Sequence, residues 1–249
     1  MKQKKPWARI AVIGGGALAL AGALAALAVF VMIPAAKYGK AEKLQSQGEY
    51  AEAYDAYDRM GDYRGAAALK DKLRDDIVAS RSAETMEFGA YEWLVLEERG
   101  GKALLLMKDV LEKRPYHETE ESVAWEACDL RSWLNGAFYN SFGGAERARI
   151  AETAVVNSRN TDYGTKAGSD TGDYIFLLSL AEAKLYFPDD DARAACNEDG
   201  SASWWWLRSP GMETYTAAIV TGDGALGSAG SGVNYYDRGV RPAMWVTIE

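Results

Sequence analysis

Few side chains in this sequence have the types and spacing that support catalysis. His117 is the single histidine, set between Tyr116 and Glu118 in a polar stretch. A Ser–His–acid site is recognised by geometry, and no GxSxG turn accompanies His117, so a solvated loop histidine is expected. Cys128 and Cys196 are the two cysteines. Neither belongs to a CxxC pair or a Cys/His cluster, which argues against structural zinc. They fit either one disulfide or two buried thiols. Asp170, Asp173 and the run Asp189-Asp190-Asp191 supply carboxylate pairs of the type used in glycoside hydrolysis. They do so by abundance only, and capping of a strand–helix junction or exposure to water explains them better. Calcium takes six to eight loop oxygens. Asn197, Asp199, Asp223 and Asp237 are the residues that would offer them, without an EF-hand-like loop. No catalytic residue, metal ligand set or cofactor is assigned; calcium is the one ion these loops leave open.

Aromatic recognition is the chemistry best represented. In Trp204-Trp205-Trp206 an extended backbone sends Trp205 to one face and its neighbours to the other. One side must be core; an open side beside Arg208, Tyr235, Tyr236 and Arg238 would form a sugar- or protein-binding patch, since Trp, Tyr and Arg dominate interface hot spots. The candidate ligand-binding residues are therefore Trp204, Trp206, Arg208, Tyr235, Tyr236 and Arg238. Arg208 and Arg241, each next to a proline, also fit buried arginines bonded to loop carbonyls.

The elements that position these residues follow from the apolar pattern. Residues Ile10 to Ile33 carry no charged or strongly polar side chain over 24 positions, about 36 Å of helix against a hydrocarbon core of roughly 30 Å. This segment is expected to span a membrane; a cleaved signal peptide is the alternative, its apolar region being typically about 7–15 residues. Lys2, Lys4, Lys5 and Arg9 precede it and Lys37, Lys40 and Lys43 follow, which places residues 1–9 in the cytoplasm and the C-terminal bulk outside. From 37 to 76 the chain is Ala-rich and helical, and Gly48-x-Tyr50-x-x-Ala53 and Gly61-x-Tyr63-x-x-Ala66 repeat one pattern. That module reads as a spacer or docking element, since one repeat buries no continuous core.

The main domain is expected over 84–249. Phe88 to Leu96 and Ala103 to Met107 form a hairpin across Arg99-Gly100-Gly101-Lys102. Leu130, Trp133, Leu134 and Phe138 share one helix face, and a short helix covers Ala145 to Ala151. Tyr174 to Leu178 reads as an interior strand, and Ser179-x-x-Glu182 as a capping box opening a helix to Phe187. Trp204–Leu207, Ala217–Val220, Val233–Tyr236 and Met244–Ile248 read as strands between Gly-rich turns such as Gly222-Asp-Gly224. The class is α+β with a mostly antiparallel sheet. With 48% hydrophobic residues and eight Trp the domain can pack a core, and a net charge of −8 argues against a nucleic-acid partner.

Three sets of residues carry resemblances. The GxYxxA pair resembles a single tetratricopeptide-type hairpin. The strings Trp125-Glu-Ala-Cys-Asp-Leu-Arg131-Ser-Trp133-Leu-Asn135-Gly-Ala-Phe138, Asp173–Ser179, Trp205-Trp-Leu-Arg-Ser-Pro-Gly211 and Gly239-Val-Arg-Pro-Ala-Met-Trp245, in that order, resemble an uncharacterised domain. That domain is common in exported and membrane-anchored proteins of Gram-positive gut bacteria. The Trp-rich strand, Gly-rich run and arginine-bearing last strand resemble C-type-lectin-like domains, including formylglycine-generating enzymes. Those enzymes use a cysteine pair near the C-terminal end, which this sequence lacks, since no cysteine follows Trp204. The resemblance implies a C-type-lectin-like ectodomain on a membrane anchor, binding a glycan or protein ligand at the cell envelope. An envelope enzyme, or a scaffold acting through the helical module, are the rival expectations.

Overall fold

A computed structural model describes residues 33–248. The expected membrane span therefore lies, apart from Ile33, outside the described residues. Among these residues no helix is long and apolar enough to cross a membrane. The chain divides into two compact units, with the boundary between Lys70 and Asp71.

In the first unit, α1 (Ile33–Ser46) and α2 (Tyr50–Asp58) are joined by a turn at Gly48, whose φ is +79°. α3 (Ala66–Ala79) follows a short 3₁₀ turn. Small residues let the helices approach: Ala41, Ala53 and Ala66 are fully buried around Tyr57. The Tyr57 hydroxyl donates to Gln45 Oε1 at 3.0 Å, and Tyr38 packs edge-on against its ring.

The second unit is α+β and holds two five-stranded sheets. β1 (Thr85–Phe88), β2 (Tyr91–Arg99), β3 (Lys102–Met107), β14 (Ala243–Thr247) and β5 (Ile150–Ala151) form the first, in that order and fully antiparallel. β12 (Leu226–Gly232), β11 (Thr216–Val220), β10 (Trp205–Pro210), β13 (Gly239–Val240) and β4 (Glu112–Lys113) form the second, with one parallel pair, β10 with β13. Two short antiparallel pairs complete the strands: β6 (Thr153–Val155) with β7 (Thr171–Asp173), and β8 (Ala195–Cys196) with β9 (Ala202–Ser203).

The β2–β3 hairpin forms as expected. Gly100 and Gly101 have φ of +55° and +72°, the two positive values a twist-matched two-residue turn needs. Phe88 belongs to a separate strand, because the chain turns at Gly89-Ala90 before β2. The expected helix face is present on α4 (Asp129–Trp133), which widens into a π-helical stretch over Leu134–Phe138. Leu130, Leu134 and Phe138 are buried, while Trp133 is half-buried and stacks on Phe138. The short helix is α5 (Gly144–Arg147), and its expected C-terminal end is strand β5 instead. The capping box is complete: Glu182 N–H donates to Ser179 Oγ at 3.2 Å and Ser179 N–H to Glu182 Oε2 at 2.7 Å, opening α6 (Leu180–Tyr186).

Two expected strands are absent as strands. Tyr174–Leu178 is buried from Ile175 onward but makes only one bridge, Phe176 with Ala243. Several of its other backbone groups are met by side chains, and Leu178 O accepts from Arg208 N–H. Asn135 accepts from Tyr174 N–H and donates to Ile175 O, and Arg208 donates to Leu177 O. Val233–Tyr236 is a loop, and the strand in that region is β12, upstream of it. α7 (Asp190–Arg193) is capped by Asp189, whose Oδ1 accepts from Ala192 N–H at 2.9 Å.

Candidate functional site

The six candidate ligand-binding residues separate into two groups. Trp206 and Arg208 lie on β10, which is buried on both faces; neither is at the surface. The alternation expected for the three tryptophans fails because each face of this strand is covered. Trp206 packs edge-on against Tyr116 and donates Nε1–H to Arg114 O at 2.8 Å. Trp205 lies against the Arg241 guanidinium, 5.0 Å from its ring centroid.

Arg208 is a structural arginine. It donates to Leu177 O at 2.8 Å and Val156 O at 3.1 Å, and pairs through both terminal nitrogens with the Glu182 carboxylate. One glutamate thus caps α6 and neutralises a buried cation. Arg241 is bonded to backbone carbonyls at the ends of β3 and α7 and in the loop after β3: Met107 O at 2.8 Å, Arg193 O at 3.3 Å and Lys108 O at 2.7 Å. Burial lowers its guanidinium to about 10, against the opposing charge of Asp109.

The remaining motif residues do comparable work. Asp173 is fully buried and accepts from Arg131 Nε at 2.7 Å, Trp125 Nε1 at 2.8 Å and Thr171 Oγ1 at 2.8 Å. That geometry gives a satisfied structural carboxylate. Asn160, missed by sequence reading, is buried in the long β6–β7 connection and donates to Pro210 O and Ser228 O. Gly211 is required by close approach, since a Cβ there would lie 2.4 Å from Ala229 O.

Trp204, Tyr235, Tyr236 and Arg238 are brought together at the surface. Trp204 is 41% exposed, Tyr235 50% and Tyr236 62%. The Arg238 guanidinium lies 4.5 Å from the Trp204 ring centroid and 5.4 Å from that of Tyr235. Its Nε donates to Ser231 Oγ at 3.2 Å, and Asp237 pairs with it at 2.8 Å.

The backbone explains the exposure. β13 and β4 pair antiparallel, and the alignment continues outward: Arg114 N–H donates to Arg238 O, and His117 N–H to Val233 O. Between those two bonds lies Pro115, which has no N–H to give. Four residues, Asn234 to Asp237, loop out opposite Pro115 and Tyr116. Sequence reading placed both tyrosines correctly at the surface but on the wrong element.

The neighbouring loops carry further exposed apolar side chains that the sequence reading did not single out. Val233 N–H donates to Tyr215 O, tying the tyrosine loop to a turn with Met212 and Tyr215 exposed. Met212 O in turn accepts from Thr165 Oγ1 at 2.8 Å, next to exposed Tyr163. Their signal was Gly/Thr/Glu-rich turn chemistry around isolated aromatic residues, too common to distinguish by composition.

His117 adjoins this surface. Its Nε2 is 3.0 Å from Glu121 and its Nδ1 is 2.7 Å from Asp129 Oδ2, the latter without hydrogen-bonding geometry. It is mostly buried rather than the solvated loop residue expected. The bonds from His117 and Thr119 hold the Glu121 carboxyl below its ordinary range. Tyr236 donates to Glu118 Oε2 at 2.6 Å, and that charge raises the phenol above its usual value.

Both cysteines are free thiols. Cys128 is buried at the N-terminus of α4, and burial pushes its thiol up to about 12. The carboxylates considered for calcium are engaged within their own loops: Asp199 with Ser201, Asp223 with Thr221 and Asp237 with Arg238, while Asn197 Nδ2 donates to Ser201 Oγ. Among the described residues no group of three or more His, Cys, Asp or Glu is placed to hold a metal ion.

A family model for a domain of unknown function, DUF6273, matches residues 100–248. The chain belongs to that family. The match spans β3 to β14, so the DUF6273 domain contains both the buried motif network and the aromatic loops. No curated protein and no solved structure matches the chain.

Proposed function

We propose that the chain is a non-catalytic binding protein of the cell envelope, held to the membrane through residues 10–33 with its α+β domain outside. The reading includes a C-type-lectin-like arrangement, with a glycan or protein ligand meeting the surface around Trp204, Tyr235, Tyr236 and Arg238. The observation that carries it is this grouping: apart from Val78 on α3, the large apolar side chains left at the surface of the second unit are Trp204 and loop residues, several of them on loops tied to one another by hydrogen bonds. An exposed, contiguous apolar patch costs solubility and marks an interaction site far more often than scattered residues do.

The test is saturable binding of the full chain on glycan and cell-wall arrays. Trp204→Ala or Tyr236→Ala should abolish binding and leave the melting transition in place. A folded chain that binds nothing on such arrays overturns the proposal.

A further inference from the structure

We propose that this loop surface recognises a cationic segment of a partner protein, one carrying spaced Arg or Lys side chains. The inference rests on the binding reading above and names the partner class for the same site.

The molecule contains its own example of the contact. Arg238 lies over the Trp204 and Tyr235 rings, and Asp237 pairs with its guanidinium at 2.8 Å. Ring face plus carboxylate is how this surface holds a cation. The same two elements recur beside it with the ring open to solvent. Tyr236 is 62% exposed, and its hydroxyl is anchored on the Glu118 carboxylate. In the adjoining turn Tyr215 is exposed two residues from exposed Glu213.

Charge decides among ligand classes. Glu118, Glu120, Glu121, Glu213 and Asp237 are exposed on the tyrosine loops, Arg238 is already neutralised by Asp237, and the exposed cations Arg159 and Lys166 lie on the neighbouring Tyr163 loop. An anionic ligand meets repulsion at those carboxylates, and a neutral sugar uses the rings while leaving the carboxylates without a role. A guanidinium or ammonium uses both, by ring quadrupole and by ion pairing. A single exposed contact of this kind is worth roughly two- to fivefold in affinity. The loops form a continuous run through Thr165–Met212 and Val233–Tyr215. An extended segment can therefore engage several rings at once, and the factors multiply.

The experiment titrates the full chain in detergent with fluorescent peptides that alternate glycine with Arg, Lys, citrulline or Glu, and with chitotetraose. The Arg and Lys peptides should bind saturably, the uncharged citrulline peptide roughly tenfold more weakly, and the Glu peptide not at all. Tyr235→Ala with Tyr236→Ala should weaken the Arg peptide at least roughly fivefold, while Asp191→Asn, an exposed acid outside these loops, leaves it unchanged. Glu118→Gln with Glu121→Gln keeps every ring and gives an independent reading: it should weaken the same peptide at least about twofold. Affinity that follows peptide charge but ignores the tyrosines overturns the inference, as does indifference to the glutamate pair. Saturable binding of chitotetraose in place of the cationic peptides overturns it too, while leaving the binding function standing. No binding of any of these probes overturns the inference, and the function falls separately only if the arrays are also silent.

Discussion

The two regions of the DUF6273 domain that look most alike in sequence, both rich in Trp, Tyr and Arg, behave in opposite ways. Around β10 the aromatic rings and the guanidinium groups of Arg208 and Arg241 are buried, and their polar atoms meet backbone carbonyls or one carboxylate. On the loops the same residue types face water, with Arg238 lying over rings. The difference lies in how the polar ends are satisfied. A buried arginine must find fixed acceptors, which makes it part of the frame. Arg238 instead is held by Asp237 and Ser231 against two rings, and it is the Tyr235 and Tyr236 rings beside it that face solvent. The Trp-, Arg- and Asp-bearing strings around β10 therefore serve the packing of the domain.

The comparison breaks most visibly at Asp173. Asp173→Ala leaves Arg131 Nε and Trp125 Nε1 without their acceptor, a loss of about 3–5 kcal/mol, read as a lower urea midpoint for the α+β unit. Survival of that variant at near-native stability would show that the network is dispensable. Gly211→Ala should cost about 1–3 kcal/mol through overpacking, because the new methyl meets the Ala229 carbonyl; the same denaturation curve checks it.

Glu97 sharpens the contrast within the frame itself. It is 2% exposed, accepts from Tyr186 at 2.7 Å, and faces Arg99 across 3.1 Å. Burial raises its carboxyl above the ordinary range despite Arg99. The folded state therefore holds the proton more tightly than the unfolded chain. Stability from this group is present below the unfolded pKa and is lost as pH rises through the folded one. Glu97→Gln should then be more stable than the parent at pH 7, by up to about 1 kcal/mol, with the gap closing on acidification. Thermal melts of both proteins across that range check the sign. The smallest stability effect belongs to the surface: Tyr236→Ala should stay within about 0.5 kcal/mol of the parent while removing binding. A large loss of stability there would move Tyr236 from ligand surface to frame.

Much of the local structure was legible because its causes are local. The Gly100-Gly101 turn, the Ser179/Glu182 cap and the buried face of α4 each depend on residues within a few positions of one another. The segment Tyr174–Leu178 was misread for a physical reason. Apolar residues there signal burial, but Asn135 and Arg208, distant in sequence, satisfy the backbone groups that a strand neighbour would otherwise meet. Val233–Tyr236 was misread similarly, since β-rich composition does not reveal that Pro115 interrupts the pairing opposite. At the candidate site, Trp204, Tyr235, Tyr236 and Arg238 were singled out by residue type alone; the burial of Arg208 was one of its two readings, and that of Trp206 was not legible.

The sequence by itself determined the α+β class, the hairpin, the capped helix and the family, because propensity, turn stereochemistry and motif order are written along the chain. Only the tertiary structure decided which aromatic residues are core and which meet solvent. That depends on what covers each face of β10 and on which backbone groups find partners across the fold, and neither is a property of any stretch of sequence alone.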